Sequence, residues 1–130
     1  MAALPPLTAA GPWIAAYALL LVALGVPVGL MRLKRVKGER LDRAVRVHGN
    51  AAENLPTFGL LLIGLDLMGS HPMLVHGLGA AFLAARLGHA YGLSRSMGPS
   101  APRFLGIVLT WTLQAVAAGL LLLRALGGPG

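Results

Sequence analysis

The chain has 130 residues, 56% of them hydrophobic and 12% charged, with eleven Lys and Arg against four Asp and Glu for a formal net charge of +7. A soluble globular domain carries roughly 25% charged residues, so this composition excludes an ordinary water-soluble domain and points to a membrane protein. Cysteine is absent, which excludes disulfides, thiolate metal sites and a protein thiol nucleophile, so any sulfur chemistry must come from a bound ligand.

Charge-free windows run over Ala2–Met31, Asn54–Leu65, Leu67–Ala85 and Phe104–Leu123, and about 20 apolar residues suffice to cross a bilayer as helix. The expected fold is therefore an all-α membrane protein, a four transmembrane helix bundle running up-down-up-down. It forms a single domain over 1–130, with helices at about 8–31, 42–69, 72–93 and 103–125. The second window is short, so its helix must also take in Asp66 at one end and the turns from Arg46 to Glu53 at the other.

The first helix carries Pro12 near its first turn, where a missing N–H costs little. Pro27 falls inside it and predicts a kink or an early end. Met1 to Thr8 has no charged side chain and the basic cluster follows the apolar run, the reverse of a secretory signal, so this segment is expected to stay as a helix. Seven of the eleven basic residues lie between Arg32 and Arg46, while Arg95 and Arg103 bracket the connection after the third helix. The positive-inside rule places both basic connections in the cytoplasm and both termini outside. Charge gathered this way is a topology signal, and it also raises the local concentration of anionic lipid or ligand at the cytoplasmic mouth; no nucleic-acid partner is expected.

The second helix opens with Arg46-Val47-His48-Gly49-Asn50-Ala51-Ala52-Glu53. Arg46, Gly49, Asn50, Glu53 and Thr57 are spaced by three and four and so share one helical face. Polar groups inside a membrane bundle mark a binding site or serve as interhelical glue; this many on one stripe favours the site. His48 points away from the stripe toward a neighbouring helix or subunit. Asp66 lies about 20 Å further along the helix, near the outer surface, where solvation is expected. A tight turn at Ser70 to Pro72 then sends the third helix back antiparallel. His71 and His76 flank that turn with no Cys or acidic partner, so no metal site is expected.

In the third helix Arg86 and His89 share a face at a depth matching Glu53. A buried arginine needs compensation, which predicts an Arg86–Glu53 ion pair. Arg46, Arg86 and Arg103 still outnumber Glu53, leaving positive charge for an anionic ligand. Arg103 opens the fourth helix, with Ser100 as a candidate cap; it reads equally as an anion-stabilising group at a helix N-terminus or as an interfacial arginine. Thr110, Thr112 and Gln114 carry little weight, because Thr commonly bonds its own helix backbone. Trp13, Tyr17, Tyr91 and Trp111 read as packing or interfacial residues.

With these residues in view, the chain resembles the MAPEG family, the membrane-associated proteins in eicosanoid and glutathione metabolism, and most closely its small bacterial members. The resemblance rests on Arg46-x-His48-x-Asn50-x-x-Glu53-x-x-Pro56, on Arg86-x-x-His89 and on Arg103-Phe104. It implies a homotrimer in a bacterial inner membrane, with glutathione bound between protomers near the cytoplasmic face and held by Arg46, Asn50, Glu53, Arg86 and His89. Arg103 then lies near the sulfur as the catalytic residue. Gly49, Phe104 and Ile107 stand where eicosanoid-synthesising members carry arginine, serine and tyrosine, which counts against prostaglandin or leukotriene synthesis. The function so implied is a glutathione-dependent transferase or peroxidase acting on lipophilic electrophiles. The alternatives are a small proton-coupled exporter and a noncatalytic membrane assembly module.

Overall fold

The computed structural model describes residues 7–96 and 98–127. The outward placement expected of the two termini, and most of the charge-free stretch Met1 to Thr8, lie outside the described residues. The described residues form four helices and no strand: α1 (Gly11–Leu33), α2 (Glu39–Leu67), α3 (Pro72–Arg95) and α4 (Ala101–Gly127). Each runs within a few residues of its expected bounds.

Successive helices alternate in direction. The start of α1 meets the end of α2, where Asp66 reaches Ala9 and Ala10, and His48 near the start of α2 packs on Gly25 late in α1. The short turn between Leu67 and Pro72 returns α3 along α2, where Arg86 bonds Asn50, and α4 runs back along α3, with Arg103 against Gly92 and Thr110 against Arg86. Two helices, α1 and α4, are long and apolar enough to cross a membrane. Helix α2 is more polar because its first half carries the charged stripe.

Helix α1 continues through Pro27 to Leu33, so the expected early end does not occur. It closes in a Schellman motif, with Val36 N–H donating to Met31 C=O and Arg35 N–H to Arg32 C=O. Arg35 occupies the left-handed position of that motif (φ 55°), where a side chain is strained. The same motif ends α2 with Gly69 (φ 70°) in the equivalent place, Ser70 N–H bonding Leu65 C=O. His71 then caps α3 by accepting from Met73 N–H at 3.2 Å, ahead of Pro72 in the first turn.

Asp66 is not simply solvated as expected. Its Oδ2 accepts from Ala9 N–H (3.1 Å) and Ala10 N–H (2.8 Å), so a carboxylate from α2 satisfies amides at the start of α1, where the helix dipole favours negative charge. The core follows from there. Phe58 and Phe82 stack at 3.8 Å, Tyr17 packs edge-on to both, and Leu55, Leu62, Leu65 and Val75 complete it, all fully buried or nearly so. The Tyr17 hydroxyl donates to Gly79 C=O at 2.9 Å, and Trp13 Nε1 donates to His76 Nδ1 at 3.0 Å. These aromatics are packing residues, as expected, with their polar atoms partnered.

Candidate functional site

The polar stripe on α2 opens into a cleft of about 310 Å³ lined by Arg46, Gly49, Asn50, Glu53, His89, Leu93 and Arg103. Three helices contribute: the i, i+3, i+4, i+7 spacing on α2 supplies one wall, His89 and Leu93 on α3 the second, and the first turn of α4 the third. Five of the six residues singled out from the sequence therefore meet around one space. Ligand pockets usually run from about 300 to 1,000 Å³, so this one suits a small, largely polar molecule.

Glycines bring α3 and α4 close enough to close the cleft. A Cβ on Gly106 would lie 2.6 Å from His89 Cβ and 2.8 Å from Ala85 C=O. A Cβ on Gly92 would lie 2.6 Å from the Arg103 nitrogen. Neither position accepts a side chain without moving backbone, so α4 is held against α3 at the level of His89 and Arg103.

Arg86, the sixth residue, does not line the cleft. It is 1% exposed and lies beneath it. One terminal nitrogen donates to Asn50 Oδ1 at 2.6 Å and lies 3.2 Å from His89 Nδ1, while the other donates to Thr110 Oγ1 at 3.2 Å. A guanidinium only donates, so His89 Nδ1 accepts and the ring proton resides on Nε2. The Arg86 side chain therefore sets the amide of Asn50 and the tautomer of His89 together. Thr110, to which the sequence assigned little weight, is fully buried and bonds twice: it accepts from Arg86 and donates to Gly106 C=O at 2.7 Å. Its position seven residues after Arg103, on the same helical face, was the available signal.

The expected Arg86–Glu53 ion pair is not formed; among the described residues the side-chain ion pair is Arg43–Glu39 at 3.0 Å. The reason is register. Asn50 lies one turn before Glu53 on the same face, and antiparallel packing sets Arg86 level with Asn50, while Glu53 is exposed along the cleft wall. Neutral groups thus solvate the buried guanidinium without cancelling its charge, and its Nε has no hydrogen-bond partner among the described residues. The cleft and its floor hold three guanidinium groups, Arg46, Arg86 and Arg103, against the one carboxylate of Glu53.

The remaining polar groups are less central. Arg103 donates to Gly98 C=O at 3.3 Å while lining the cleft. Its other side faces a second, mostly apolar space of about 290 Å³ formed with Pro99, Ser100, Phe104 and Ile107. Ser100 does not cap α4 through its hydroxyl, which is buried without a partner among the described residues; the Ser100 carbonyl accepts from Phe104 N–H instead. Thr57 donates to Glu53 C=O and Asn54 to Asn50 C=O, so both serve their own helix. His48 leaves the stripe, as expected, and rests on α1 at Gly25.

Fold and site together define an all-α helical bundle with a cleft built from three helices and lined by Arg46, Arg103, His89 and Glu53. The MAPEG family model matches residues 10–123, and the chain belongs to the MAPEG family as one of its membrane proteins. The chain is also 40% identical over 52 residues to the inner membrane protein YecN of Escherichia coli strain K12, and equally to the YecN protein of a second Escherichia coli strain, of serotype O6:H1. Each match spans 40% of this chain and 40% of the relative.

Proposed function

We propose that this protein binds glutathione in the cleft between α2, α3 and α4 and presents its thiol to lipophilic electrophiles, as a membrane glutathione-dependent transferase or peroxidase. The observation that carries this reading is the charge imbalance: Arg46 and Arg103 line the space, Arg86 lies charged beneath it, and Glu53 stands on the same wall with no ion pair among the described residues. Glutathione carries two carboxylates and one ammonium group, the complement of that arrangement. It supplies the nucleophilic sulfur that the cysteine-free chain lacks.

The chain's own groups then divide the work. Arg46 and the His89 Nε2–H bind carboxylate or carbonyl oxygens, Glu53 accepts the ammonium, and Asn50, held by Arg86, offers its amide Nδ2 as a further donor. Arg103, in the first turn of α4, stabilises negative charge on sulfur, assisted by the positive end of the helix. The apolar space beyond Arg103, walled by Phe104 and Ile107, admits a lipophilic acceptor from the bilayer. Holding the two reactants side by side, with the thiol ionised, accounts for the rate gain. In this reading all four helices span a bacterial inner membrane, the basic α1–α2 connection is cytoplasmic, and three copies assemble as a homotrimer; the named YecN relatives and the basic residues at one end support that placement.

Calorimetric titration of glutathione into detergent-solubilised protein tests the proposal. The wild type binds, Glu53→Ala and Arg46→Ala bind more weakly, and Arg103→Ala retains binding but loses the thiolate ultraviolet absorption. Absence of glutathione binding by the wild type overturns it.

A further inference from the structure

A separate groove of about 410 Å³ lies at the basic end of the bundle, on a different face of α2 from the cleft. Its walls are apolar: Leu24, Pro27 and Met31 follow one another along one face of α1, opposite Ala44 and Val47 on α2. Its mouth carries Arg40 and Arg43. Arg43 is tied down, to Glu39 at 3.0 Å and to the Arg95 carbonyl at 3.2 Å. Arg40 is exposed and takes no hydrogen bond or ion pair among the described residues. The slot from Leu24 to Met31 is about 10 Å long at 1.5 Å per residue, and the neighbouring surface of α1 is apolar too, with Val26, Leu30 and Leu33 all more than half exposed.

We infer that this groove binds an anionic phospholipid, one acyl chain lying along Leu24, Pro27 and Met31 and the headgroup phosphate resting on Arg40. An apolar slot ending in a guanidinium at a helix end matches an amphiphile with its charge at one end. A free anion gains nothing from the slot. At this groove a second copy is the weaker fit, whatever contacts a trimer makes elsewhere: the matching level of the chain, residues 32–46, offers Arg40 seven Lys and Arg against Glu39 and Asp42, and Glu39 is already paired with Arg43, whereas a lipid phosphate supplies the countercharge.

The test is native mass spectrometry of the delipidated full chain in detergent, titrated with dioleoyl phosphatidylglycerol or dioleoyl phosphatidylcholine. A basic residue near a membrane surface contributes about 1 kcal/mol to binding an anionic lipid, or about fivefold. The wild type should prefer phosphatidylglycerol by at least that factor. Arg40→Gln should lose the preference, whereas Lys37→Gln, an equal loss of charge outside the groove, should keep it. Ala44→Trp, which fills the slot and leaves the charge intact, should lose bound lipid. Equal losses in Arg40→Gln and Lys37→Gln overturn the inference, as does inorganic phosphate competing as well as the lipid does. Unchanged lipid binding in Ala44→Trp together with an altered oligomeric state assigns the groove to a second copy and also overturns it. Should Ala44→Trp fail to fold, the Arg40 and Lys37 pair decides alone, since neither side chain is buried.

Discussion

The bond between Arg86 and Asn50 predicts that the two ends of one interaction are unequal in cost. Asn50→Ala removes the 2.6 Å acceptor of a guanidinium that is 1% exposed and already has an unpartnered Nε, leaving it Thr110 and His89 alone. A hydrogen bond to a charged group contributes about 1.5–3 kcal/mol, and an under-solvated arginine inside a membrane bundle adds to that. A loss of about 3 kcal/mol is expected. Arg86→Met removes the buried charge itself, fills most of the volume with a flexible apolar chain, and leaves Asn50 Oδ1 bordering the cleft, where water reaches it. That loss is about 1 kcal/mol. With no cation left to strand, the double variant should resemble Arg86→Met, so the two single losses sum to about 2–3 kcal/mol more than the double. Equilibrium unfolding in mixed micelles, followed by far-ultraviolet circular dichroism, measures all three. Equal single losses, or additive ones, would refute the argument that a charge solvated by neutral groups holds the floor of the cleft.

Other outcomes follow from the same structure. Gly106→Ala puts a methyl 2.6 Å from His89 Cβ, so it should cost about 1–3 kcal/mol through overpacking and weaken glutathione binding; unchanged calorimetric affinity would show that the close approach of α3 and α4 does not shape the cleft. Arg35→Gly relieves the left-handed strain at the end of α1 (φ 55°) and should stabilise the protein by roughly 1 kcal/mol, visible as a higher unfolding midpoint. Asp66→Ala deprives Ala9 and Ala10 of their shared acceptor and should cost about 1 kcal/mol, the usual effect of losing a helix cap. Asp66→Asn, which keeps an acceptor oxygen, should recover most of it; a loss as large as that of Asp66→Ala would show that charge on the helix dipole, rather than the hydrogen bonds, matters there.

Helical periodicity by itself determined a great deal here. Charge-free apolar windows, the second of them extended through its flanking polar turns, foretold four helices and their approximate ends, and spacing by three and four placed Arg46, Asn50 and Glu53 on one face, because both depend only on residues near one another in the chain. The tight turn after the second helix brought His89 to that depth, while the place of Arg103 beside the site came with the family resemblance. Partner choice needed the tertiary structure. Asn50 and Glu53 differ by one turn on a single face, so which of them meets Arg86 depends on how far two antiparallel helices slide past each other, and no local pattern encodes that distance. Glycines at 92 and 106 set it for α3 and α4 by letting backbones touch, and that contact is what brings Thr110 under Arg86. Asp66 became a cap for α1 by the same long-range logic. A carboxylate 56 residues away in the chain from the amide it satisfies is legible only once the bundle has folded.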